Sequence, residues 1–343
     1  MDEYSPFRFE YDTPTIRFGD EVVADLADEL ADQGLDRALV VTGTSVGSNP
    51  DVMDPIAEGL GDLHVGTFDE TTPDKLLSTA VDGLDAVRET DADVLVAVGG
   101  GSSLDVAKGL STLASRTDSP EEAGSELQSS GGIDVGDADP LPIVAVPTTL
   151  AGADMSIVAG IGAEADSGLV DEDCGGGLSD PALMPTAAFH DPALFATTPK
   201  EILAGSAMNG FNKGLETIYS RHATPVTDAT AAKGIGLMAR GLHVLGTAQP
   251  TTSILRPAVE GVILVQYGIG RPNVTTLSLI HAFGHTLRDG FDIQQGTAHA
   301  VVTPAALQYI FDEVDGRREL IAEALGVGDA DDPVAAVVDE VAD

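Results

Sequence analysis

VAVGGGSSLDVAKG, residues 96–109, joins an apolar run to a segment of helical periodicity through three consecutive glycines. The run Val94–Val98 has the character of a strand buried on both faces, and Ser102 and Ser103 open a helix. Gly99, Gly100 and Gly101 let the backbone turn sharply and approach a ligand closely. The unpaired N–H groups of the helix that follows, at the positive end of its dipole, favour a phosphate there. An ordinary strand-to-helix turn has the same spacing, since glycine clusters are common.

Outward from this turn the first half of the chain alternates between two periods. EVVADLADELADQG (21–34) predicts a helix and ALVVTG (38–43) a strand; DKLLSTAVDGLDAVRETDA (74–92) predicts a helix and PIVAVPTT (142–149) a further strand. Strands that are apolar throughout and separated by helices indicate a parallel sheet covered on both faces. The stretch from residue 160 to about 183, rich in Gly and Asp, reads as a loop or irregular hairpin. Beyond it the pattern is helical nearly to the end, in ILAGSAMNGFNKGLETIYS (202–220), DATAAKGIGLMARGLHVLG (228–246), RPAVEGVILVQYGIG (256–270), VTTLSLIHAFGHTLRDG (274–290), AVVTPAALQYIFDEV (300–314) and RRELIAEALG (317–326). The fold expected is an α/β, Rossmann-like N-terminal domain over 1–190 and an all-α C-terminal domain over 191–343.

Composition narrows the partners. Of 343 residues, 56 are acidic and 17 basic, a formal net charge of −39. Nucleic acid and anionic membrane surfaces are excluded as partners, because both are bound by Lys and Arg meeting phosphate. Only five lysines occur, Trp is absent, and the acidic excess is spread along the chain, a composition expected of a salt-adapted (halophilic) protein. Strong salt screens repulsion over a few ångströms, so an acidic surface there costs little and aids solubility. A hydrophobic fraction of 43% provides a core. The lone Cys174 rules out an internal disulfide and a thiolate metal cluster. With no basic-then-apolar leader and no apolar run near about 18 residues, a soluble cytoplasmic protein is expected.

GGGSSLDVAKG, followed in order by AVPTT and by HDPALFATTP (190–199), resembles the iron-containing (group III) alcohol dehydrogenase family, whose wider superfamily includes dehydroquinate synthase. The resemblance spans nearly the whole chain. Within the family the maleylacetate reductases are the most similar branch, on VPTTLAGADMS, on AMNGFNKGLE and on HAFGHTLRDGFDIQQGTAHAVVTP (281–304), with Arg288 and Asp289 where glycines are expected. The resemblance implies hydride transfer between NAD or NADP and a small carbonyl, alcohol or unsaturated acid. It places the cofactor on Gly99, Gly100, Gly101, Ser102, Ser103, Asp105, Lys108, Thr148 and Thr149. Gly43 and Thr44 stand where many members hold the ribose diol with an Asp; with no carboxylate at 43, neither NAD nor NADP is excluded. Relatives are commonly dimers, so a homo-oligomer acting on a small molecule is expected.

Family members that need a divalent metal hold it with an Asp and a His four apart on one helix and two further histidines. Carried over, these positions are Asn209, Lys213, His281 and Gln295. Asn and Gln are weak neutral donors, and an ammonium has no free lone pair, so a divalent metal is not expected. His281, His285 and His299 offer a second possible metal set, His281 and His285 having the i, i+4 spacing of helical zinc ligands. The metal-free alternative assigns Lys213 to stabilise a developing alkoxide and His285 or His281 to move the proton. The bland alternative pairs Lys213 with Glu216 or Asp289. Arg288 and His299 are candidates for the substrate carboxylate. A competing function is a dinucleotide-binding, non-catalytic subunit. A lyase or phosphate-ester dehydrogenase of the wider superfamily ranks last, since such sites need more basic residues.

Overall fold

The computed structural model describes residues 6–10, 13–136, 139–269, 275–291 and 293–342, apart from the side chains of residues 285 and 288–290. The chain packs as two units. The first comprises Thr13–Thr148 and Ala153–Thr197; the second comprises Thr149–Gly152, Thr198–Asp343 and Met1–Asp12, as far as these are described.

In chain order the first unit contains β1 (Thr15–Phe18), α1 (Leu26–Asp32), β2 (Ala38–Gly43), α2 (Thr44–Gly47), α3 (Pro50–Leu60), β3 (His64–Thr71), α4 (Leu77–Thr90), β4 (Val94–Gly99), α5 (Gly101–Ser115), α6 (Pro120–Ser130), β5 (Ile143–Pro147), β6 (Val158–Ala163), β7 (Cys174–Ser179), β8 (Ala187–His190) and α7 (Pro192–Ala196). Six strands form one parallel sheet in the order β1-β8-β5-β4-β2-β3. The alternation of side chains along a strand divides its core in two. Val40, Val94, Val96, Val98, Val144 and Phe189 face Leu26 and Leu30 of α1 and Ile56 and Leu60 of α3. Leu39, Val41, Leu95, Ala97 and Ile143 face Leu77 of α4, Leu104 and Leu110 of α5 and Leu127 of α6. Residues on both sides being apolar is why the central strands read as unbroken hydrophobic runs.

The helix expected over 21–34 is a 3₁₀ turn, Val22–Asp25, leading into the seven-residue α1. The glycine-rich stretch after residue 160 resolves into a two-stranded antiparallel pair, β6 with β7, in regular register from Val158↔Ser179 to Ala163↔Cys174.

The second unit is helical: α8 (Lys200–Tyr219), α9 (Pro225–Thr247), α10 (Thr252–Ile269), α11 (Leu279–Phe291), α12 (Gln295–Glu313), α13 (Arg318–Leu325) and α14 (Pro333–Ala342). None of the described helices is long and apolar enough to cross a membrane. α12 begins five residues earlier than its sequence pattern suggests, so Gln295 and His299 share one helix. The glycines that interrupt α8 are contact points: a Cβ at Gly210 would stand 2.4 Å from the carbonyl oxygen of Leu150, and one at Gly214 2.3 Å from Ile235 Cγ2. Gly210→Ala is therefore expected to destabilise the protein by about 1–3 kcal/mol, the overpacking outweighing the better helix propensity. A lower urea midpoint at an unchanged m-value would show it.

Candidate functional site

At the C-terminal edge of the sheet, β4 leaves through Gly99 at φ +134° and Gly100, and α5 starts at Gly101. No side chain caps the first turn of α5. Its N–H groups are thus presented by a 15-residue helix at the strand end, where open α/β sheets bind ligands. Thr148 N–H donates to Gly99 O at 2.9 Å, fastening the end of β5 to the turn. Thr149 lies in the other unit. Ser102 is half-buried, whereas Ser103 is buried and shares a 3.0 Å hydrogen bond with Thr71.

Four residues of the expected cofactor set are bonded or packed within the chain. Lys108 is fully buried, and its ammonium donates to the carbonyl oxygens of Ala153 (3.2 Å), Ser156 (2.6 Å) and Val158 (3.1 Å). Burial pushes its pKa down to about 8. The helical period placed Lys108 on α5 without showing that this face points into the protein. Asp105 pairs with Lys75 at 2.5 Å. Gly43 is overlaid by β3: a Cβ there would meet Thr71 O at 2.9 Å, so no larger residue fits without a shift. Thr44 Oγ1 donates to Asp69 O at 2.9 Å.

In the helical unit, Asn209, Lys213 and Glu216 occupy one face of α8 at i, i+4 and i+7. Glu216 is wholly buried, yet its carboxylate is compensated. Oε1 accepts from the backbone N–H of Ile280 (2.8 Å) and His281 (3.2 Å) at the start of α11, and Oε2 meets His281 Nδ1 at 2.5 Å. Burial alone would raise its pKa; the hydrogen bonds and charge of His281 with the backbone donors overcome that and hold it below the usual carboxylate value. The other nitrogen of His281, Nε2, meets Asn209 Oδ1 at 3.1 Å. The buried ring of His299 stands edge-on to His281, centroids 4.5 Å apart. Lys213 Nζ donates to Ala151 O and Gly152 O, each at 3.0 Å, and Leu150 N–H donates to Ser206 Oγ at 3.1 Å. The turn Thr149–Gly152 is thereby held on α8.

The pairing of Lys213 with Glu216 resolves differently from expectation: Glu216 serves His281, and the ammonium donates to backbone carbonyls; the pairing with Asp289 falls outside the described residues. The side chains of His285, Arg288 and Asp289 lie outside the described residues.

This donor set does not fit a divalent metal. Lys213 directs N–H groups at oxygens, and His281 has one ring nitrogen against Glu216 and the other against Asn209. A lone pair on His281 Nε2 would be joined only by an ammonium and by the weak neutral amide oxygens of Asn209 and Gln295, a poor set for a dication.

Glu216 escaped the sequence reading as a functional group; its only local signal is its spacing of three from Lys213, while its partners lie 64 and 65 residues away. A second buried pair went unread altogether: His190 Nε2 to Asp154 Oδ2, at 2.7 Å.

Comparison with known proteins agrees with this architecture. The iron-containing alcohol dehydrogenase family matches residues 13–192, and its C-terminal domain matches residues 203–343. Maleylacetate reductase of Sphingobium indicum is 30% identical over 326 residues, 94% of this chain and 81% of the relative. Lactaldehyde reductase of Escherichia coli is 29% identical over 329 residues, 91% and 78% of the two chains. The crystal structure of sulfoacetaldehyde reductase from Bifidobacterium kashiwanohense in complex with NAD+ superposes with a TM-score of 0.84 at 21% identity, covering 98% of this chain and 85% of that one. The chain belongs to the iron-containing alcohol dehydrogenase family.

Proposed function

We propose that the chain is an NAD(P)-dependent oxidoreductase that reduces a small carbonyl compound or an unsaturated acid, in the manner of a maleylacetate reductase, and that it does so without a catalytic metal. One observation carries the reading: of the metal positions Asn209, Lys213, His281 and Gln295, His281 lies between Asn209 and the buried Glu216, and Lys213 places an ammonium that donates to backbone carbonyls. Gly99, Gly100, Gly101 and Ser102 would hold the pyrophosphate, with Thr148 fastened to Gly99 O; Thr149 remains a candidate. The nicotinamide, when bound, supplies or accepts the hydride. Lys213 provides fixed positive charge for an oxyanion. His281, oriented by Glu216, holds or releases the proton at Nε2. His285, Arg288 and His299 remain candidates for proton transfer and for carboxylate recognition. We take the working form to be a soluble homo-oligomer.

The reading is tested by following the absorbance of the reduced cofactor with maleylacetate and with a panel of aldehydes, in molar salt, with and without chelator. Turnover that survives EDTA is expected; turnover abolished by EDTA and restored by iron or zinc would end the metal-free mechanism, and cofactor binding without turnover would favour a non-catalytic subunit.

Cofactor preference follows from the charges around the end of β2. Asp69 packs on α2, its Oδ2 3.2 Å from where a Cβ on Gly47 would lie, and Glu70 is exposed next to it. Lys75, the nearest lysine in sequence, is committed to Asp105. A 2′-phosphate brought to this acidic edge would be repelled, so kcat/KM for NADH is expected to exceed that for NADPH by about tenfold or more. Parallel initial-rate measurements with the two cofactors decide it.

A further inference from the structure

The loop between β5 and β6 has neither helix nor strand over residues 153–157, yet it abuts the glycine turn: a Cβ on Gly101 would stand 3.6 Å from Ala153 Cβ. Two buried polar links fasten it. From α5, the Lys108 ammonium takes the carbonyls of Ala153, Ser156 and Val158. From the end of β8, His190 Nε2 meets Asp154 Oδ2 at 2.7 Å, their side chains 0% and 3% exposed. His190 Nδ1 finds no hydrogen-bond partner among the described residues. Burying a carboxylate and an imidazole in this way is expensive, and apolar residues of similar volume commonly serve stability as well or better. Stability is therefore a poor reason for the pair, and its location suggests a better one.

We propose that Asp154 and His190 are positioning residues for dinucleotide binding, setting the height of loop 153–157 beneath the turn Gly99–Gly101. The proposal rests on the nucleotide-binding part of the function proposed above. Neither side chain touches the ligand. Their bond, with that of Lys108, fixes Ala153 against Gly101, so the first N–H groups of α5 keep the spacing a pyrophosphate requires. Loosening one anchor leaves the loop held by the other, with its contact on the turn shifted by tenths of an ångström. Ligand affinity registers such a shift more sharply than global stability does.

The test uses three full-length forms: wild type, His190→Gln, which keeps a donor near Asp154, and the paired replacement Asp154→Leu/His190→Leu, which fills the space with apolar atoms. NADH affinity is measured by fluorescence titration and the unfolding midpoint by thermal denaturation. The leucine pair is expected to retain a midpoint near that of wild type but to bind NADH about tenfold more weakly, the loss of one charge-assisted hydrogen bond's worth of positioning. His190→Gln is expected to lie between, and in steady state KM for NADH rises more than kcat falls. A purely structural pair would lower the midpoint and leave the NADH affinity of the folded protein unchanged; that result in both variants overturns the proposal while leaving the function intact. Failure of the wild type to bind either NADH or NADPH overturns both. If the leucine pair does not fold, His190→Gln alone decides, by a raised or an unchanged Kd.

Discussion

His281→Ala lowers kcat by about 10²–10⁴-fold, the usual worth of a positioned acid or base, and leaves the Kd for NADH within twofold of wild type. The expectation rests on how the ring is held. Nδ1 is fixed by a carboxylate that is itself fixed by two backbone N–H groups of α11, so Nε2 has one direction to face. Glu216 is a positioning residue in this scheme, and its replacement is more informative than its loss. In Glu216→Gln the amide oxygen still accepts from Ile280 and His281, so α11 keeps its start, but the charge that favours a proton on Nδ1 is gone. A fall in kcat with KM nearly unchanged is expected there, together with strong non-additivity in the double variant with His281→Ala, because the second change removes a group whose orientation the first has already spoiled. Full kcat in His281→Ala would move proton transfer to His285 or to solvent. Additive losses in the double variant would reduce Glu216 to a cap for α11.

How much of this was legible depended on the distance over which each feature is determined. β2, β4 and β5 announced themselves because a strand buried on both faces must be apolar at every position, and the glycine turn because Gly99 leaves β4 at a φ of +134°, which favours glycine. β3, HVGTFDET, lies at the sheet edge and is only partly buried, so its pattern carries no period. α3 holds Pro55 and Gly59 and was hidden by them, although Asn49 capping Asp51 N–H and Pro50 at the first position are sound start signals. The resemblance to known enzymes located Asn209, Lys213, His281 and Gln295, yet could not say what the substituted residues bond to. The partners of Lys213 are backbone carbonyls 61 and 62 residues earlier, and carbonyls leave no trace in side-chain identity. Lys108 shows the same limit from the other direction: periodicity placed it on a helix, and burial decided that it serves the chain instead of a phosphate.

Lys213→Met is expected to separate the two tasks of this ammonium. Removing it leaves Ala151 O and Gly152 O without their donor, at a cost of about 1–3 kcal/mol in stability if they stay dry. Removing its charge from a developing oxyanion costs about 10²–10³-fold in kcat, the scale seen when one such stabilising group is deleted. Lys213→Arg keeps the charge and can still reach a carbonyl, so a recovered midpoint with a recovered rate would leave the tasks joined, whereas a recovered midpoint with a depressed rate would show that the rate depends on where the charge sits. A variant that loses stability alone, at full kcat, would make Lys213 a tether and nothing more. The metal question is answered on the same position by a readout that needs no turnover. Wild type dialysed against zinc or ferrous iron should retain none at this place, because Lys213 repels a dication and the amides at 209 and 295 are weak neutral donors. Asn209→Asp/Lys213→His/Gln295→His restores two histidines and a carboxylate to the family positions and should gain about one equivalent of metal, with His281 turning from Asn209 to complete the set. Tight stoichiometric metal in the wild type would refute the exchange of metal for ammonium; metal gained only by the triple variant would locate that exchange in these three residues.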